Sequence, residues 1–154
     1  MAVIVWSDKY SVGVPAFDDA HERLAAMINE LQESMSAGAS QQALGSALEK
    51  LAEFTYRHFV IEESVIHQHN VPGFQNHKLE HEKLRSQVAR FAKGLSTGNV
   101  AMSLDMAKFL GLWLINHIQF SDKKYAPYLN GKLLPHSETL PVGSVENARR
   151  DVAN

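Results

Sequence analysis

The sequence predicts an all-α protein: an antiparallel up-down bundle of four helices with an irregular N-terminal arm and a polar C-terminal tail. Apolar residues recur at the helical period in four segments, and no segment alternates strictly between apolar and polar residues as a half-buried strand would. Short stretches rich in glycine, serine or proline separate the segments. Short connections favour antiparallel neighbours, so the four segments should form an up-down bundle.

The first helix should follow an irregular arm over residues 1–17, in which Pro15 interrupts regular structure. Asp18 or Asp19 can cap the start of this helix, because a carboxylate there accepts hydrogen bonds from the first free N–H groups. Gly38 supplies its end.

The remaining helices follow at regular intervals. The second is predicted over residues 41–68 and the third over residues 74–93, with Gly94 in the next loop. The fourth should begin near Ser103 and run toward Asp122, before Pro127 ends or kinks it.

Two regions follow from this pattern. Residues 1–130 should form one four-helix domain, and residues 131–154 should form a C-terminal tail that is flexible or partly helical. The tail is polar and is interrupted by Pro135, Pro141 and Gly143.

The composition excludes several classes of protein. Hydrophobic residues make up 45% of the chain and charged residues 21%, as in an ordinary globular domain. A net charge of -2 gives no basic surface for nucleic acid, and no apolar run is long enough for membrane insertion. The chain has no cysteine, which removes disulfides, thiolate metal sites and iron–sulfur clusters. Because the start also lacks a secretion signal, we expect a cytoplasmic protein.

Histidine occurs eight times, and several copies stand at helical spacing. His58 and Glu62 are four residues apart, as are His77 and His81, so each pair shares one helix face. Both pairs lie among apolar residues that should face the core. Because burying such groups without partners is costly, either they satisfy one another or a metal ion binds them all.

The other two helices add candidate ligands. His21 stands near the start of the first helix, and His117 and Asp122 stand five residues apart near the end of the fourth. In an ideal helix that step turns the two side chains about 140° apart. They could converge if the helix widened locally into a π-turn, a distortion frequent at functional sites.

The four helices can therefore direct seven candidate metal ligands into one core: His21, His58, Glu62, His77, His81, His117 and Asp122. Imidazoles favour a transition metal over Ca²⁺ or Mg²⁺, and seven ligands are too many for one tetrahedral zinc. Two octahedral ions bridged by both carboxylates and by an oxide or hydroxide would have about eleven of their twelve positions filled. One vacant position would remain for a small ligand.

These residues resemble the hemerythrin family, specifically the single-domain bacteriohemerythrins. The resemblance rests on His58-x-x-x-Glu62 within H-F-x-x-E-E, on His77-x-x-x-His81, and on His117-x-x-x-x-Asp122 within W-L-I-N-H-I-Q-F-S-D-K-K-Y. The opening W-S-D-x-Y-S-V-G-V-x-x-F-D-D-x-H, which ends at His21, is also similar, and the resemblance covers roughly residues 4–129.

The resemblance implies two iron ions, with His77, His81 and His117 on one, His21 and His58 on the other, and Glu62 and Asp122 as bridges. It also implies that O2 binds reversibly at the vacant position of the iron with two histidines. Four apolar residues should form the wall around that position: Phe59, Trp113, Leu114 and Ile118.

The expected function is O2 transport, storage or delivery to an oxygenase or another O2-consuming enzyme, by a monomer that is not itself an enzyme. The alternatives within the family are an O2 or redox sensor, a di-iron enzyme that handles peroxide or nitric oxide, and an iron reservoir. A ferritin-like oxidase would need Glu-x-x-His motifs and a zinc protease would need His-Glu-x-x-His, and the sequence contains neither. His67, His69 and His136 are interpreted as surface residues.

Overall fold

The computed structural model describes residues 2–129, apart from the side chains of residues 100–104. The expected tail over residues 131–154, with His136 in it, lies outside the described residues. The four long helices are α1 (Pro15–Ser36), α2 (Gln41–Gln68), α3 (Phe74–Ser96) and α4 (Val100–Phe120). A 3-10 turn (Asp8–Tyr10) precedes them, and a second 3-10 turn (Asp122–Lys124) and a short helix α5 (Ala126–Leu129) follow.

The helices form the predicted bundle. α1 packs against α2 and α4, and α3 packs against the same two helices, so the four elements close into a ring around one core. Leu24, Leu48, Leu84 and Leu110, one from each helix, are all buried in that core. The described residues contain no strand, and none of their helices is long and apolar enough to cross a membrane.

The start of α1 differs from the prediction. Pro15 begins the helix rather than interrupting it, because its fixed φ and missing N–H suit the first helical position. Asp18 therefore lies inside the first turn and is not the cap. Its Oδ1 accepts a hydrogen bond from the Val12 N–H at 2.8 Å, and its Oδ2 accepts one from the Ser11 hydroxyl at 2.5 Å. The Asp18 carboxylate therefore connects the N-terminal arm to α1 through two hydrogen bonds.

The ends of α1 and α3 depend on a glycine in the left-handed conformation. Gly38 has φ 74° and follows the end of α1, as predicted. The end of α3 was placed too early: Gly94 is a buried residue inside the helix, and Gly98, with φ 80°, supplies the stop instead. α3 therefore continues to Ser96, and α4 begins at Val100 rather than near Ser103.

The N-terminal arm crosses the outside of α4. The Asn29 side chain donates to the Ile4 carbonyl at 2.7 Å and accepts from the Ile4 N–H at 2.9 Å, which anchors the arm to α1. Val3 then lies so close to Gly111 that a Cβ there would stand 2.5 Å from its Cγ1. Gly111 is thus required by the close approach of the arm.

Candidate metal centre

The structure brings the seven predicted side chains together at the end of the bundle where α1 begins and α4 ends. Each is buried, with no more than 8% of its surface exposed. Their ligand atoms form two groups that share one carboxylate: Glu62, His77, His81, His117 and Asp122 in one, and His21, His58 and Glu62 in the other. We call these the three-imidazole group and the two-imidazole pair.

Glu62 faces both groups with different oxygens. Its Oε1 lies 2.8 Å from the Nε2 of His77 and 3.3 Å from that of His81. Its Oε2 lies 3.1 Å from the Nε2 of His58 and 3.5 Å from that of His21. The Glu62 side chain, on α2, thus lies between the two groups of imidazoles.

Asp122 has the same divided arrangement. Its Oδ1 is 2.9 Å from the Nε2 of His117 and 3.2 Å from that of His77. Its Oδ2 is 3.2 Å from the Nε2 of His21, on the side of the two-imidazole pair. Both carboxylates therefore present one oxygen to each group.

Asp122 reaches this position in a different way from the one predicted. α4 does not widen into a π-turn, because its last hydrogen bond, from the Ser121 N–H to the His117 carbonyl at 2.8 Å, has ordinary α-helical spacing. The helix ends at Phe120, and Asp122 begins a 3-10 turn. Ser121 leaves the helix with φ -117° and ψ -56°, and this change of direction brings the next side chain back to the site.

Two further carboxylates orient the imidazoles of the three-imidazole group. The Nδ1 of His81 lies 2.8 Å from Glu63 Oε1, and the Nδ1 of His117 lies 2.8 Å from Glu80 Oε2. An ionised carboxylate can only accept, so each Nδ1 carries a proton and each Nε2 faces the cluster, where it can bind a metal ion. These two Nε2 atoms are 3.0 Å apart. At that distance the two nitrogens can share a proton in a hydrogen bond, or both can bind one metal ion.

Unsatisfied polar atoms also indicate a cation. Imidazole nitrogens approach Asp122 closely, yet neither of its buried oxygens accepts a well-directed hydrogen bond, and the buried Nδ1 atoms of His21 and His58 have no partner either. Ligand atoms at right angles on one metal, with bonds of about 2.1 Å, would stand about 3.0 Å apart. The distances of 2.8–3.3 Å around Glu62 Oε1 and Asp122 Oδ1 are close to that value. The donor set therefore fits two octahedral transition-metal ions.

The electrostatics of the cluster attract positive charge. Burial disfavours the charged form of His21 and His77, but the adjacent negative charges of Asp122 and Glu62 outweigh it and raise their pKa values to about 9 and about 10. Burial likewise opposes ionisation of the two carboxylates, yet the surrounding imidazoles hold both pKa values well below their usual range. Burial dominates at His58 and lowers its pKa. Without metal, protons on the imidazoles balance the buried carboxylates.

Apolar and aromatic side chains cover the three-imidazole group. Phe59 stacks on His81 with ring centroids 3.6 Å apart, and Trp113 stacks on His117 at 4.4 Å. Phe59, Trp113 and Leu114 also line a small apolar cavity of about 20 Å³, which is room for one small molecule. Ile118 is fully buried but is not among the described residues that line this cavity.

Tyr125 is a further functional residue that sequence reasoning missed. Its hydroxyl donates to Glu62 Oε2 at 3.0 Å, and burial, with the charges of Asp122 and Glu62, raises its pKa well above 10, so the phenol stays a donor. Glu63 and Glu80 were missed as well. Both stand next to a ligand in sequence, and this adjacency was the signal that could have identified them.

The histidines interpreted as surface residues lie apart from the cluster. His67 is exposed and contacts Phe74, and His69 is partly buried with its Nδ1 2.8 Å from the Val65 carbonyl. Neither belongs to a group that could hold a metal ion among residues 2–129.

A four-helix bundle with five imidazoles and two shared carboxylates at one end defines a class, the non-haem di-metal proteins. The chain belongs to the hemerythrin family, since the Hemerythrin HHE cation binding domain matches residues 12–129. The resemblance seen in the sequence is thereby confirmed, and with it the family's di-iron centre as the cofactor.

Individual relatives agree with this assignment. The chain is 30% identical to the bacteriohemerythrin of Methylococcus capsulatus over 131 residues, which covers 84% of this chain and 99% of the relative. It is 29% identical to the bacteriohemerythrin of Stenotrophomonas maltophilia over 133 residues, 86% of each chain. A crystal structure of wild-type hemerythrin is similar with a TM-score of 0.78 and 30% identity, and the match covers 84% of this chain and 100% of that one.

Proposed function

We propose that this chain binds O2 reversibly at a di-iron centre and serves in O2 transport, storage or delivery. One observation carries the proposal: Glu62 and Asp122 each present one oxygen to the three-imidazole group and the other to the two-imidazole pair. Such a division is what two metal ions bridged by both carboxylates require. A single ion would not need it.

The residues that would hold the irons follow from this division. His77, His81 and His117 would hold one iron, His21 and His58 the other, and Glu62 and Asp122 would bridge them. With a shared oxide or hydroxide, the first iron would have about six ligands and the second about five. When bound, the irons supply one vacant coordination position and the electrons that O2 binding needs.

The protein supplies the surroundings of that position. We assign the O2-binding wall to Phe59, Trp113, Leu114 and Ile118. Phe59 contacts both groups, since its ring stacks on His81 and lies 6.1 Å from the ring of His58. An apolar wall excludes water and offers no acidic side chain beside the O2 position, which favours release of O2 unchanged over turnover.

Tyr125 and Glu63 each form a hydrogen bond that fixes the orientation of one candidate ligand. The Tyr125 phenol donates to the Glu62 oxygen that faces the two-imidazole pair, and Glu63 fixes the ring of His81. Glu62 and His81 are therefore oriented before metal binds, which lowers the cost of assembling the centre.

The wider role is also part of the proposal. The chain would act as a monomeric carrier in the cytoplasm rather than as an enzyme, and an oxygenase or another O2-consuming enzyme would receive the O2. Support comes from the similarity to proteins named bacteriohemerythrin.

Stopped-flow mixing of the diferrous protein with O2, followed by removal of O2, tests the proposal. A carrier should give an oxygenated spectrum quickly and return to the diferrous spectrum when O2 is removed, over repeated cycles. Failure to recover the diferrous spectrum would exclude carriage. Rapid irreversible oxidation would instead support a sensor, and continued consumption of O2 with a reductant would support an enzyme.

A further inference from the structure

One carboxylate beside the metal centre reaches solvent. Glu80 lies on α3 between His77 and His81, and 43% of its side chain is exposed, whereas the candidate ligands are buried. Its Oε2 accepts two hydrogen bonds, from the Nδ1–H of His117 at 2.8 Å and from the hydroxyl of Ser121 at 2.5 Å. One carboxylate oxygen on α3, Glu80 Oε2, thus binds two residues at the end of α4.

Those two residues flank the break in α4. The Ser121 N–H still donates to the His117 carbonyl at 2.8 Å, but the Ser121 backbone has left the helical direction, and Asp122 begins the next turn. The two residues are therefore joined twice, once through the backbone and once through Glu80.

The local sequence favours the break only weakly, through Ser121 and Asp122, since serine and aspartate are common at helix ends and turns. Residues 117–122 read His-Ile-Gln-Phe-Ser-Asp, without glycine or proline, and Pro127 comes only five residues later. If α4 continued as a regular helix, Asp122 would turn about 140° away from His117 and leave the site. A contact from another helix would add to this weak local tendency and favour the break at this position.

We propose that Glu80 and Ser121 form a positioning clamp that ends α4 where Asp122 can reach the same metal centre as His117. The clamp rests on the proposed di-metal site and adds residues that touch no metal. Glu80 has a second effect in the same contact, because a carboxylate on Nδ1–H orients the ring and strengthens Nε2 as a ligand. An exposed carboxylate adds little to folding stability, so the clamp acts on metal affinity.

The test compares metal affinity in alanine variants. Glu80→Ala and Ser121→Ala should each bind Co²⁺ about 10–100-fold more weakly than the unmodified chain in competition with a chelator. Glu82→Ala and Ser86→Ala are the matched controls, because both side chains are exposed on the same helix. These controls should leave Co²⁺ affinity unchanged.

Conservative and double variants separate positioning from a general structural effect. Ser121→Thr keeps the hydroxyl and should retain most of the affinity, whereas Glu80→Gln keeps an acceptor without charge and should fall between the unmodified chain and Glu80→Ala. The double alanine variant should bind about as weakly as Glu80→Ala alone, because Ser121 acts through Glu80.

The outcomes distinguish the clamp from the site itself. If the unmodified chain binds two Co²⁺ ions and both alanine variants bind them equally tightly, the clamp is overturned while the di-metal site stands. If the unmodified chain binds no more than one ion, the proposed site fails first. If an alanine variant does not fold, Glu80→Gln and Ser121→Thr decide. Co²⁺ affinities in both variants equal to that of the unmodified chain contradict the clamp. A loss of Co²⁺ affinity confined to Glu80→Gln supports it.

Discussion

The metal-free protein should lose stability as the pH rises above neutrality. Burial would lower the folded-state pKa values of His21 and His77, but the adjacent negative charges of Asp122 and Glu62 outweigh it and raise them from 6.5 to about 9 and about 10. A raised pKa means that the folded state holds the proton more tightly than the unfolded state does. The stabilisation is therefore complete below pH 6.5 and is lost as the pH passes through 9 to 10.

The size of the loss follows from the shift. One pKa unit corresponds to about 1.4 kcal/mol, so the rise at His77 alone is on the order of 5 kcal/mol. The two imidazoles share the same carboxylates, so their contributions do not simply add. A loss of several kcal/mol is a large part of the stability of a domain of this size.

Urea unfolding at several pH values between 6.5 and 10.5 measures this effect on chelator-treated protein. The metal-loaded protein should show little change over the same range, because metal keeps the imidazoles neutral and replaces their protons. His67→Gln, which changes an exposed histidine, is the control and should follow the unmodified profile. A metal-free protein equally stable at pH 7 and pH 10.5 would refute the reasoning.

Three substitutions make further predictions. Glu62→Gln should lower the iron content from two ions per chain to one or none by removing a bridging charge, as measured by metal analysis, while the exposed Glu53→Gln should keep both. Leu114→Ala should lower the free energy of unfolding in urea by about 2–5 kcal/mol. Because it also opens a gap in the apolar wall, it should speed autoxidation of the oxygenated form. Unchanged autoxidation kinetics would count against the assigned wall. Gly111→Ala should destabilise the fold by about 1–3 kcal/mol, since overlap with Val3 at 2.5 Å outweighs the helix propensity of alanine, and Val3→Ala in the same chain should restore much of the loss in thermal unfolding.

The sequence was enough to predict the bundle because each helix has its own periodic apolar face and its own end signals. The bounds of α2 at Gln41 and Gln68 agree with the prediction, and Ser40 caps the helix by accepting a hydrogen bond from the Ala43 N–H at 3.1 Å. The helix ends that were predicted wrongly lie where neighbouring residues give competing signals. Gly94 and Gly98 both could end α3, and only packing shows that Gly94 belongs inside the helix.

The candidate site could be assembled from the sequence because four-residue spacings fix which side chains share a helix face. His58 with Glu62 and His77 with His81 needed no other information. Asp122 was different, since its position depends on where α4 ends. The sequence suggested a π-turn, whereas the structure ends the helix beside Glu80, a contact between residues 41 positions apart that no local pattern reveals.

The residues that orient the ligands were harder to identify from the sequence, for the same reason. Glu63, Glu80 and Tyr125 are ordinary polar residues in sequence, and their importance comes from hydrogen bonds across helices. Adjacency to a ligand was a hint at Glu63 and Glu80, but surface glutamates on helices are common.

The central feature of the proposed site is a pair of metal ions that share both carboxylates. Anomalous X-ray diffraction from crystals of the iron-loaded protein at the iron absorption edge tests this directly. We expect two iron positions, one bound by His77, His81 and His117 and the other by His21 and His58, with Glu62 and Asp122 bound to both. A single iron position, or two positions with either carboxylate bound to only one of them, would contradict the account.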